Sequence, residues 1–214
     1  RVGDIASVEH WYKDLNSFIK KVHKETGDAP IFLYGESLGS LIIMHGNSYL
    51  DESIKETIKG VIYASPLIAL PGELPPVKNF IVRLAMFLFP KMKISIKSLA
   101  SNQNAQVTSE TDHWEQMAKT PHFVPKYTLR TLGSIEDLVY SSKEVAPRIT
   151  KPTLILYPGK DVFTRPDQVD QFFGNLKSKD KTKHLFKESH HLLAFDKEKE
   201  RLFEIVEQWI NKRL

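Results

Sequence analysis

A short apolar run, Pro30-Ile31-Phe32-Leu33-Tyr34, leads directly into Gly35-Glu36-Ser37-Leu38-Gly39, and Leu41-Ile42-Ile43-Met44-His45 follows. The run has the length and character of a buried strand, and the stretch after the pentapeptide reads as helix. Gly-x-Ser-x-Gly at a strand-to-helix junction is the setting in which the serine sits on a strained turn with its hydroxyl exposed. A reversal that tight predicts that a Cβ at either glycine, Gly35 or Gly39, would clash. The backbone N–H of the next residue, Leu38, then faces the place where an oxyanion would develop. The plainer reading is a small-residue turn without chemistry, since five-residue patterns recur by chance. The flanking strand and helix favour the nucleophile.

A serine hydroxyl is a weak nucleophile and needs a base beside it, oriented in turn by a carboxylate. In an open α/β sheet such groups belong at the carboxyl ends of strands. Thr153-Leu154-Ile155-Leu156-Tyr157 reads as a strand ending in Pro158-Gly159-Lys160-Asp161, which offers Asp161. Lys183–Phe186 reads as another, ending in Lys187-Glu188-Ser189-His190-His191. The order Ser37, Asp161, His is that of the nucleophile-elbow hydrolases. Asp161 also suits ordinary turn chemistry. Asp167 and Asp170 are rivals inside the next predicted helix, and Asp137 is a more distant one. His190 and His191 are adjacent in a loop and must point in different directions, so only one of them can reach Ser37. The same adjacency argues against a metal pair. The other histidines read as surface or packing residues.

The chain has 214 residues, within the range of one α/β domain. With 41% hydrophobic residues it can bury a sizeable core. The longest apolar stretch, Phe80 to Phe89, is too short to span a membrane and contains Arg83. Cysteine is absent, so there is neither a disulfide framework nor a thiolate metal site, and a reducing compartment is compatible. The net charge of +4 comes from scattered lysines, which argues against nucleic acid; they read first as a solvated surface, with mild attraction to anionic membrane surfaces as the sharper alternative. Helices are expected at Ser7–Glu25, with Ser7 as N-cap, at Leu38–Leu50, Pro166–Leu176 and Lys197–Arg213, and a further strand at Gly60–Ala64. Between residue 67 and about 146 the alternation breaks. A Pro-Gly-rich opening, an apolar helix from Val77 to Phe89, a polar stretch from Ser98 to Glu110 and helical pieces around 112–118 and 123–142 fill that interval. Strands alternating with helices predict a parallel sheet covered on both faces, and an insertion of this length reads as a lid or binding element.

Together these segments resemble the α/β-hydrolase superfamily, and within it the monoacylglycerol lipase/lysophospholipase group. The resemblance rests on the helix Val8 to Val22, the elbow, Val61-Ile62-Tyr63-Ala64-Ser65-Pro66, and Leu88-Phe89-Pro90-Lys91-Met92-Lys93-Ile94. It continues through Ile149 to Leu156 and Gly159-Lys160-Asp161 with Pro166. In that family a His is followed five positions later by Asp or Glu. His191 with Asp196 fits, so the resemblance selects His191 as base and keeps His190 as the alternative. It implies an α/β-hydrolase core over 1–66 and 147–214, a helical cap over 67–146, and no cofactor or metal. The implied reaction is hydrolysis of a lipid-like carboxylic ester, such as a monoacylglycerol or lysophospholipid, through an acyl-enzyme. Ser37 attacks, His191 carries the proton, Asp161 orients it and the Leu38 N–H meets the oxyanion.

The expected setting is cytoplasmic, with peripheral membrane contact through the cap, whose apolar helix otherwise reads as core. One departure stands out. Family members carry N-terminal strands and a His-Gly loop with a second oxyanion donor, and this chain begins downstream of them, which would leave the Ser37 strand at a sheet edge. The alternatives are an esterase, thioesterase or acyltransferase on non-lipid esters, and a non-catalytic binding protein of the same fold.

Overall fold

The computed structural model describes residues 2–70, 75–95, 106–109 and 113–214. Most of the expected polar stretch from Ser98 to Glu110 lies outside the described residues. Four parallel strands form the central sheet: β1 (Ile31–Glu36), β2 (Ile58–Ala64), β5 (Thr153–Pro158) and β6 (Lys181–Phe186), in the order β1-β2-β5-β6. Their period-two alternation sorts side chains onto two faces. Val61, Tyr63, Ile155 and Tyr157 meet Ile19 of α1 (Glu9–Thr26), Ile43 and Met44 of α2 (Leu38–Gly46), Ile54 of α3 (Glu52–Thr57) and Phe172 of α7 (Pro166–Asn175). Ile62, Ala64, Leu154 and Leu156 point the other way, against Leu202 and Trp209 of α8 (Lys199–Asn211).

Every residue of β5 is buried, as expected of a strand paired on both sides and covered on both faces. β1 departs from the buried reading of Pro30–Tyr34. Among the described residues it pairs only with β2, it is partly buried, and Tyr34 is exposed.

The 67–146 interval contains α4 (Pro76–Leu88), β3 (Lys93–Ser95), α5 (His113–Lys119), β4 (Lys126–Thr128) and α6 (Leu129–Val145). α6 packs onto the core through Leu138 and Val139, which meet Tyr12 and Leu41. α4 lies outside α6 and has no buried residue at all. It instead exposes Val77, Phe80, Ile81, Leu84, Phe87 and Leu88.

β3 and α3 went unread in the sequence, and β4 replaces the first residues of the helical piece expected around 123–142, whose helix begins only at Leu129. β3 and β4 form an antiparallel pair three residues long, too short to show a period. They owe their place to tertiary partners: Thr128 N–H donates to Gly3 O at 2.9 Å, and Arg130 holds Asp4 with two bonds of 2.6 Å. α3 is six residues long and buries only Ile54. The first helix begins at Glu9 with Val8 at the N-cap, so Ser7, the expected cap, stands one residue further out, where its hydroxyl accepts from Glu9 N–H.

Candidate active site

Ser37 closes β1 and opens α2 with φ 53° and ψ −118°. That is a left-handed conformation costing a non-glycine residue about 1–3 kcal/mol unless its surroundings impose it. They do. Ser37 N–H donates to Ala64 O at 3.0 Å, and the buried Ser40 hydroxyl donates to Gly35 O at 2.7 Å and reaches Ala64 O at 3.2 Å. A Cβ on Gly35 would lie 2.6 Å from the Gly39 carbonyl, so glycine is required there. Gly39 differs from expectation: among the described residues a Cβ on it meets nothing within 4 Å. The reversal is crowded on its strand side and open on its helix side. Leu38 is the first residue of α2, so its N–H is among the donors a helix start leaves without an intrahelical partner.

The carboxyl ends of β5 and β6 deliver the other two groups. His191 Nε2 lies 2.8 Å from Ser37 Oγ, and its Nδ1 lies 3.0 and 3.1 Å from the two carboxylate oxygens of Asp161. A carboxylate accepts only, so Nδ1 carries the hydrogen and Nε2 is left to accept from the serine hydroxyl. Both side chains are nearly inaccessible, 4% for His191 and 1% for Asp161. The Phe163 ring meets the imidazole edge-on at 4.6 Å. Asp161 also accepts from Phe163 N–H at 2.8 Å, so the turn reading and the site reading hold together. The loops after β5 and β6 are tied to each other: Gly159 N–H donates to Phe186 O and Lys160 N–H to Ser189 O. A Cβ on Gly159 would stand 2.6 Å from Lys187 O, so the approach depends on glycine.

The rival groups are engaged elsewhere. Asp167 pairs with Arg165, Asp170 with Lys183 and Asp137 with Arg83. His190 turns away from Ser37, its Nδ1 donating to Asp196 at 2.9 Å. Among the described residues no group of three or more His, Asp or Glu side chains is arranged to hold a metal ion.

Glu36 was not singled out in the sequence. Burial pushes its carboxyl up, and the electrostatic influence of His191 and the N–H groups of Leu193 and Ala194 offset this only in part. Its Oε1 is buried with no hydrogen-bond partner among the described residues. The signal was the position itself, a carboxylate at the end of the strand within the Gly-x-Ser-x-Gly turn.

With this geometry in hand, the family model for serine aminopeptidase S33 matches residues 1–198. The chain belongs to that family. The fold of this S33-family chain is that of the α/β-hydrolases. It superposes on the crystal structure of a monoacylglycerol lipase from Paleococcus ferrophilus with a TM-score of 0.79 at 23% identity, covering 100% of this chain and 78% of that one. In sequence it is 25% identical to the monoglyceride lipase of Rattus norvegicus over 193 residues, 88% of this chain and 60% of that one. It is 22% identical to the caffeoylshikimate esterase of Arabidopsis thaliana, covering 87% of this chain and 56% of that one. The chain thus spans little more than half the length of these two relatives.

Proposed function

We propose that this chain carries the catalytic centre of a serine ester hydrolase acting on lipid-like carboxylic esters. The observation that carries the reading is His191 suspended between Ser37 Oγ at 2.8 Å and Asp161 at 3.0 Å. In this reading Ser37 Oγ attacks the ester carbon as its proton passes to His191 Nε2, and the Leu38 N–H donates to the oxyanion. The C–O bond to the alcohol breaks as His191 returns the proton to the leaving oxygen. Water then repeats the sequence on the acyl-enzyme and frees the acid. Asp161 keeps the imidazole in the tautomer that accepts from serine.

The lipid-like part of the reading rests on the lipase relatives and on α4. Its exposed Val77, Phe80, Ile81, Leu84 and Phe87 suit an acyl chain or a membrane surface, and the exposed Lys78 and Lys91 on and just after the helix suit anionic headgroups. Residues 67–146 act as the cap over the site, and contact with the membrane is peripheral. Among the described residues no helix is long and apolar enough to cross a membrane.

A second reading keeps the machinery and changes the substrate to a non-lipid ester, which the caffeoylshikimate esterase relative favours. The family's description adds an aminoacyl amide as a third substrate class to test.

The test is fluorophosphonate labelling of the full-length protein with Ser37→Ala as control. Turnover of glyceryl and p-nitrophenyl esters of graded chain length and of an aminoacyl p-nitroanilide follows. Labelling at Ser37 with a rise toward longer glyceryl esters is expected. Absence of labelling overturns the hydrolase reading, and a preference for short esters or the anilide overturns the lipid one.

A further inference from the structure

Resting on that reading, we propose that Asp196 is a positioning residue that latches the 106–109 segment of the insert to the loop carrying His191, so that the cap and the base are mechanically coupled. Asp196 is 1% exposed and none of its side chain reaches solvent. Its Oδ2 accepts from His190 twice, from the backbone N–H at 2.7 Å and from Nδ1 at 2.9 Å, and from Ser109 N–H at 3.3 Å. Its Oδ1 accepts from Lys197 N–H at 2.8 Å and, at short range, from the Ser109 hydroxyl. One carboxylate therefore holds the residue before the base and a serine from the insert at once.

Two further bonds run along the same seam. Leu192 N–H donates to Val107 O at 2.9 Å, and the Thr108 hydroxyl donates to Phe195 O at 2.5 Å. The residues on both sides of His191, His190 and Leu192, are thus fastened directly or through Asp196 to the insert.

Other ties of this loop come from elements outside the insert. Glu198 accepts from Glu188 N–H and from the Ser189 hydroxyl, both at 3.0 Å, and the N–H groups of Leu193 and Ala194 face Glu36 beside the elbow. The 106–109 contact connects the base loop to the part of the chain expected to meet the substrate. A shift of that segment pulls on the backbone of His190 and Leu192 and so on the Nε2-to-Oγ distance. Displacements of about 1 Å in such a group can cost on the order of 100-fold in rate.

The experiment uses the full-length protein and three variants: Ser109→Ala, Asp196→Asn and the two combined. The readouts are the rate of Ser37 labelling by a fluorophosphonate, kcat and KM for p-nitrophenyl acetate, and the melting temperature. Asp196→Asn is expected to slow labelling by about 10- to 100-fold. Ser109→Ala is expected to slow it by several-fold through kcat with KM unchanged. The combined variant should be no slower than Asp196→Asn alone, because both changes act through one contact. Asp196→Glu tests partial rescue.

Wild-type labelling rates in Ser109→Ala overturn the latch, as do strictly additive losses in the combined variant. If Asp196→Asn melts too low to assay, Ser109→Ala decides alone. Failure of the underlying reading shows separately, as a wild-type protein that does not label at all.

Discussion

Two histidine–aspartate pairs stand side by side in this molecule. His191 and His190 are sequence neighbours, and each places Nδ1 about 3 Å from a buried aspartate, Asp161 in one case and Asp196 in the other. What separates them is the second nitrogen and the origin of the acid. Asp161 comes from the turn after β5, and Nε2 of His191 reaches Ser37 at 2.8 Å. Asp196 comes from the same loop as His190 and joins it to Ser109 of the insert. A His–Asp pair is therefore not an active site by itself. One pair aims a ring at Ser37, and the other joins its loop to Ser109.

The largest contrast expected is between the two acids. Asp161→Asn should lower kcat by about 10⁴-fold, because the amide favours the wrong tautomer of His191 while leaving the geometry in place. Asp196→Asn should fall far short of that. Equal losses would erase the distinction between the pairs. Next comes the histidine exchange. His191→Ala should abolish measurable turnover of p-nitrophenyl esters, whereas His190→Ala, which removes one of several donors to Asp196, should stay within about tenfold of wild type. The reverse outcome would make His190 the base and require the loop to flip in solution.

Much of this was legible in the chain. β1, β2 and β5 are short apolar runs closed by turn residues, β6 is apolar only at Leu185-Phe186, and Ser37, Asp161 and the His pair follow β1, β5 and β6. Burial explains the apolar runs of β2 and β5, whereas the partly buried β1 and β6 were legible from the turns that follow them. The choice between His190 and His191 was legible only through the family's spacing to Asp196, for which the structure supplies a physical reason: the carboxylate five residues on binds the residue before His191.

Hidden from the sequence were features set by distant partners. β3 pairs with β4 across more than 30 residues, and the Ser109 contact reaches across 87. The openness around Gly39 was equally invisible, because a motif records which residue is present and not which neighbour would collide with another. Glu36 was concealed by its own motif, where the variable position attracts no attention.

A third test titrates the fastening pair. Burial alone pushes the Asp196 carboxyl up, but the Ser109 hydroxyl and the His190 and Lys197 donors overcome this and hold it down at about 2. The folded value lies below the unfolded one, near 3.9, so the stabilisation is complete above about pH 4 and disappears as pH falls through 2. It amounts to about 2 kcal/mol. Wild type should lose more stability between pH 5 and pH 2 than Asp196→Asn, which has no carboxyl to protonate at that position. Parallel stability curves for the two proteins over that interval would show that Asp196 does not hold the loop.

The smallest effect concerns the ring that stacks against only one of the pairs described above. Phe163 meets His191 edge-on at 4.6 Å, and an edge contact of this kind contributes about 0.5–1.5 kcal/mol beyond its area. Phe163→Leu keeps the backbone N–H that binds Asp161 and keeps most of the bulk, so only the ring's orientation of the imidazole is removed. Turnover should fall by several-fold while the acid stability set by Asp196 stays unchanged. If Phe163→Leu instead moves both quantities together, the two pairs share one mechanical unit, and the loop from Glu188 to Glu198 responds as a single body rather than as an aimed half and a fastened half.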